Sequence, residues 1–150
     1  MKTDIKQQYR KSKKTNIDIN FNSDIEKKIV NWKKENIFFG VFPNIGDSMT
    51  CNDYSKSIPN NSKVLVYDLQ INFNIGLNNV WYLIPINEPL LIIGKTNDNR
   101  DFKVCKTISF VDTVNGYVLL KSYNPLHKSI LIPFDWITNI LKVEKTIISN

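Results

Sequence analysis

From Ile37 onward the chain is cut into short runs of β-branched and aromatic residues separated by Asn, Pro, Gly and Asp, and this punctuation constrains the fold most strongly. Such runs are too short for core helices and fit strands. They predict strands over 37–42, 63–67, 80–84, 89–94, 101–110, 117–121, 129–133 and 139–147, with loops over the Asn-, Ser- and Asp-rich stretches 50–62 and 68–79. Asn115-Gly116, between Val114 and Tyr117, tolerates the positive φ angles of a tight reversal, so 101–110 and 117–121 are expected to pair antiparallel. Trp81, Phe134 and Trp136 are assigned to the core. With 150 residues and 42% hydrophobic content the chain can bury one sizeable core. The expectation is a mostly β body over 37–150, preceded by a basic, helical N-terminal arm over 1–36.

The arm carries most of the charge. Residues 1–36 hold ten Lys and Arg against five Asp and Glu, a net +5 of the chain's +6. Within it Arg10-Lys11-Ser12-Lys13-Lys14 offers contacts to nucleic-acid phosphates or to a repair protein; a solvated tail is the plainer reading. Ser23-Asp24-Ile25-Glu26 has the spacing of a capping box and predicts a helix over 24–35. Its apolar stripe is Ile25, Ile29 and Trp32, leaving Lys27, Lys28, Lys33 and Lys34 in water. A weaker helix is expected over 3–13. The segment has no compact helix-turn-helix pattern, which argues against a built-in DNA reader.

Several function classes fare poorly. No apolar run approaches the roughly 20 residues that span a bilayer, and the start lacks a signal-peptide stretch, so a soluble, cytoplasmic protein without membrane contact is expected. One histidine, His127, and two cysteines, Cys51 and Cys105, form no metal-ligand spacing; two reduced thiols and no cofactor or metal are expected. Trp81 and Tyr82 with the basic arm could suit an OB-like nucleic-acid binder, but the body's net +1 offers no electrostatic funnel.

The remaining chemistry lies in two places. Strand alternation puts Phe102, Val104, Lys106 and Ile108 on one face and Lys103, Cys105 and Thr107 on the other, so Lys106 is the one cation in an apolar row. Burial there disfavours the ammonium and lowers its pKa from about 10.4, as a lysine general base requires. Gly46-Asp47-Ser48-Met49 presents a serine on a glycine-containing turn that is expected to open a helical turn. Backbone amides around Gly46, Asp47, Ser48 and Met49 would then support an oxyanion. Each feature alone is common: a serine after glycine is often a cap, and a strand lysine often snorkels.

In combination and in this order they resemble the LexA-like self-cleaving serine peptidases, which include LexA-type repressors, phage repressors and UmuD-type mutagenesis proteins. Gly46-Asp47-Ser48-Met49 is similar to the family's nucleophile motif. Ile58-Pro59-Asn60-Asn61-Ser62-Lys63-Val64-Leu65-Val66 is similar to the stretch after it, with Asn61-Ser62 in place of Gly-Asp. Cys105-Lys106-Thr107-Ile108 resembles the family's V-K-R-I strand, and Tyr117 to Pro125 the hairpin strand that ends in S-x-N-P. The resemblance covers about residues 37–147.

It implies a LexA/signal-peptidase-like β-rich fold, Ser48 as nucleophile and Lys106 as general base. Its implied role is proteolysis of the protein's own N-terminal arm or of another polypeptide, in control of transcription or the DNA-damage (SOS) response. It also implies a homodimer, for which residues 129–147 are the candidate surface. The arm lacks the Ala-Gly or Cys-Gly pair that the family cuts, and Phe39-Gly40 lies only eight residues before Ser48. The alternative is a catalytically silent LexA-like domain that serves dimerisation or partner binding.

Overall fold

The computed structural model describes residues 21–148, and the expected helix over 3–13 and the basic cluster at 10–14 lie outside them. The first element, α1 (Ser23–Lys34), begins one residue earlier than expected because Asn22, not Ser23, is its cap. The Asn22 side chain accepts from the Ile25 amide at 3.0 Å, satisfying one of the free donors of the first turn. The stripe Ile25, Ile29 and Trp32 docks on the body, where Trp32 stacks on Tyr67 with ring centroids 4.9 Å apart and Lys28 pairs with Glu144. The helix is therefore seated on the body by its apolar face.

The body is mostly β. Strands β1 (Phe39–Pro43), β2 (Lys63–Asp68), β3 (Pro89–Lys95), β4 (Asp101–Asp112), β5 (Tyr117–Lys121), β6 (Ile130–Pro133) and β7 (Ile137–Ile147) form one curled antiparallel sheet. Their order across it is β1-β2-β7-β3-β4-β5-β6. Alternation splits β3 and β7 between two cores. Leu90, Ile92 and Ile140 join Ile108, Val118 and Leu120 on one face, whereas Leu91, Leu141 and Val143 join Phe42, Met49 and Val66 on the other. Because β7 is paired on both sides, by β2 and β3, among the described residues only β6 within the 129–147 stretch offers a free sheet edge for a second copy.

Three local expectations need correction. Residues 80–84 are not a strand: α2 (Leu77–Val80) runs into a 3-10 turn over Trp81–Leu83. The buried positions Leu77, Val80 and Ile84 have helical spacing, and this outweighs the β propensity of the aromatic pair. Trp81 accordingly lies 44% exposed rather than in the core, while Phe134 and Trp136 do pack against it. The β4–β5 connection is also longer than Asn115-Gly116 alone. Asp112 pairs with Tyr117, the Asp112 carboxylate caps the Val114 and Asn115 amides, and Gly116 supplies the positive φ of 79°. Finally, the turn after Gly46 does not open a helix. Among the described residues no helix is long and apolar enough to cross a membrane.

Candidate active site

Ser48 sits in a single reverse turn, closed by the Thr50 amide donating to the Asp47 carbonyl at 3.0 Å. Both flanks of the turn are fixed. Before it, Gly46 adopts φ 95° and its amide donates to Asn60 Oδ1 at 2.7 Å. After it, the Met49 side chain is fully buried, and the Met49 carbonyl accepts from the Ile58 amide. Asn61, in the place where the resembled motif has glycine, adopts φ 66°, a region asparagine tolerates better than most side chains. Its neighbour Ser62 donates its hydroxyl to the Pro59 carbonyl at 2.6 Å, which tightens that loop.

A second loop, following β5, holds the same turn from the other side. The Asn124 amide donates to the Ser48 carbonyl at 2.9 Å, and Asn124 Nδ2 donates to the Asp47 carbonyl at 3.1 Å. His127 Nε2 lies 2.7 Å from Asp47 Oδ1, so the single histidine pairs with the turn and not with either cysteine. Among the described residues the amides of Ser48 and Met49 make no hydrogen bond. They are free donors, the property an oxyanion site needs, and the Asp47 amide likewise has no partner among the described residues, although its carbonyl and carboxylate are engaged; the Gly46 amide donates elsewhere.

Lys106 is 8% exposed and its Nζ donates to Ser122 Oγ at 2.8 Å. Its aliphatic neighbours across the strands are Leu90 on β3 and Ile108 along β4, both fully buried. Desolvation by these neighbours lowers the Lys106 pKa, opposed only by Cys105 where that thiol is ionised, well above neutral pH. Among the described residues no carboxylate pairs with the amine. Burial pushes the Cys105 thiol up to about 12, which keeps it protonated and unreactive at neutral pH. Among nucleophiles beside Lys106, the hydroxyls therefore outrank the thiol.

Ser48 and Lys106 border one cleft of about 310 Å³, whose walls include Pro43 and Ile45 beside Ser48 and Lys103 and Cys105 beside Lys106. Alternation assigns Lys103 and Lys106 to opposite strand faces, yet both reach this cleft. The reason is that β5 pairs only with residues 107–112 of β4, so among the described residues the 101–106 half has no strand on the side away from β3. Side chains of both faces border that open edge. Among the described residues Ser48 Oγ has no hydrogen-bond partner, and Lys106 Nζ is held by Ser122 instead.

Local sequence rules do not mark Ser122 and Asn124 as site residues, although both lie in the stretch that resembles the S-x-N-P strand end. The motif carried the signal. Comparison with family models, with curated proteins and with solved structures finds no match to this chain.

Proposed function

We propose that the chain is a LexA-like serine peptidase in which Ser48 and Lys106 form the catalytic dyad. One observation carries the reading: a buried lysine amine, bonded to a neutral hydroxyl and to no carboxylate, borders the same cleft as a serine held on a rigid turn. Desolvation favours the free amine, which can take the Ser48 proton as Oγ attacks a peptide carbonyl carbon. The ammonium then returns that proton to the leaving amine nitrogen, and water repeats the sequence to release the acyl group. The free Ser48 and Met49 amides are the donors available to the oxyanion. Ser122 orients the amine through this bond and is given no contact with the nucleophile or the bond to be cut, which makes it a positioning residue. The order of motifs along the chain supports the family likeness, and the curled antiparallel sheet is compatible with it.

The substrate is best read as a separate polypeptide, or a segment outside the described residues, laid along the open edge of β4. Phe39-Gly40 does not suit the part, since both residues are buried and paired to β2 through Tyr67 and Val66. Cleavage there would require β1 to leave the sheet. A second reading, a silent module that keeps the fold for partner binding, is favoured by the lack of a hydrogen bond between Ser48 Oγ and Lys106 Nζ.

Intact-mass spectrometry separates the two. The wild-type chain and Ser48→Ala are incubated between pH 7 and 10, each alone and with an unstructured polypeptide in excess. The peptidase reading expects fragments that need Ser48 and accumulate faster as pH rises and Lys106 loses its proton. Absence of any Ser48-dependent product would leave the silent module.

A further inference from the structure

Lys103 is a second cation on the cleft, and the proposed peptidase mechanism does not use it. It lies on β4 opposite Ile93, with Nζ 4.7 Å from the centroid of the Phe42 ring. Desolvation lowers its pKa, and no neighbouring charge contributes. Among the described residues the exposed lysine makes no ion pair, in contrast to Lys95 on β3, which pairs with Asp101 on β4. Among the described residues none that borders the cleft is acidic, and Asp47, beside Ser48 in sequence, is engaged by His127. The cleft thus joins two amines to apolar walls formed by Pro43, Ile45, Leu91 and Val104, with no internal counter-charge.

Resting on the peptidase reading, we infer that this cleft selects polypeptides that carry a carboxylate beside the bond to be cut, and that Lys103 is the specificity-determining residue. A partly desolvated ammonium gains from an incoming carboxylate because its own site supplies none. The Phe42 ring fixes the head group of this cleft-bordering lysine, reducing the freedom lost on binding. Carboxylates come from two sources, an acidic side chain or a free chain terminus, and both satisfy this chemistry.

Fluorescence anisotropy tests the inference on the full chain carrying Ser48→Ala, so that no probe is consumed. The probes are fluorescein-labelled octapeptides of alanine and glycine with glutamate, glutamine or lysine at one interior position, each with an amidated or a free C-terminus. The glutamate peptide with an amidated end is expected to bind roughly tenfold tighter than its glutamine counterpart, the gain of a charge-assisted contact. Adding Lys103→Met should erase that ratio, and adding Lys103→Glu should reverse it in favour of lysine. A preference that follows the free C-terminus instead would support a carboxylate-binding cleft whose source is a chain end. Equal binding of all peptides, no binding of any, or discrimination that survives Lys103→Met with circular dichroism unchanged would overturn the inference. Catalysis is scored separately by Ser48-dependent products from the wild type, so failure of the peptidase reading and failure of carboxylate selection give different results.

Discussion

Lys106→Met isolates the property on which the proposed chemistry depends, the amine's cost of carrying charge. Methionine keeps the length and the apolar packing but removes the amine, so two effects of opposite sign compete. Loss of the 2.8 Å contact leaves the buried Ser122 hydroxyl without its donor, a destabilisation of about 1 kcal/mol. Against it stands relief from desolvation, which lowers the lysine pKa in the folded chain below its ordinary value near 10.5. At pH below the folded pKa both states are protonated and the wild type bears the whole penalty. Between the folded pKa and 10.5 only the unfolded chain binds the proton, so wild-type stability rises with pH. Relative to the variant, the wild type should therefore gain up to about 1.4 kcal/mol per pH unit across that window. Urea unfolding followed by tryptophan fluorescence at pH 7, 8, 9 and 10 reads this difference directly. The other titrating groups are common to both chains, so their contributions largely cancel in the subtraction. A stability difference that stays flat from pH 7 to 10 would refute the claim that Lys106 sits in a desolvating site, and with it the proposed general base.

Ser122→Ala should cost about 1 kcal/mol of stability while slowing cleavage roughly tenfold to 100-fold at unchanged KM, because the hydroxyl orients the amine without touching substrate. Ser122→Thr, which retains a hydroxyl, should recover most of the rate; steady-state kinetics of the two variants decide whether orientation is what Ser122 supplies. Gly94→Ala should destabilise the fold by about 3 kcal/mol or more, measured by urea denaturation, since an added Cβ would stand 1.8 Å from the Trp136 carbonyl oxygen at the β3–β7 bulge. A stable Gly94→Ala protein would mean that this close approach can relax.

Much was legible in the residues because local rules suffice for it. Seven of the expected strands rest on β-branched runs bounded by turn residues, and all seven form. The stripe of α1 and the apolar row around Lys106 follow from periodicity alone. The pairing of Lys106 with Ser122 did not, since it depends on a register that no local pattern fixes. With Asp112 opposite Tyr117, unbroken pairing along β4 and β5 would set Tyr123 across from Lys106. A bulge at Ser109 slips the register by one, pairing Thr107 with Lys121 and bringing Ser122 level with the amine. The clamp from Asn124 and His127 onto the Ser48 turn likewise joins residues about 80 positions apart. Sequence thus determined which side chains are candidates for the proposed chemistry and which of them are drawn inward. Only the curled sheet, by closing long loops against each other and by one irregular strand pair, decided which of those groups meet.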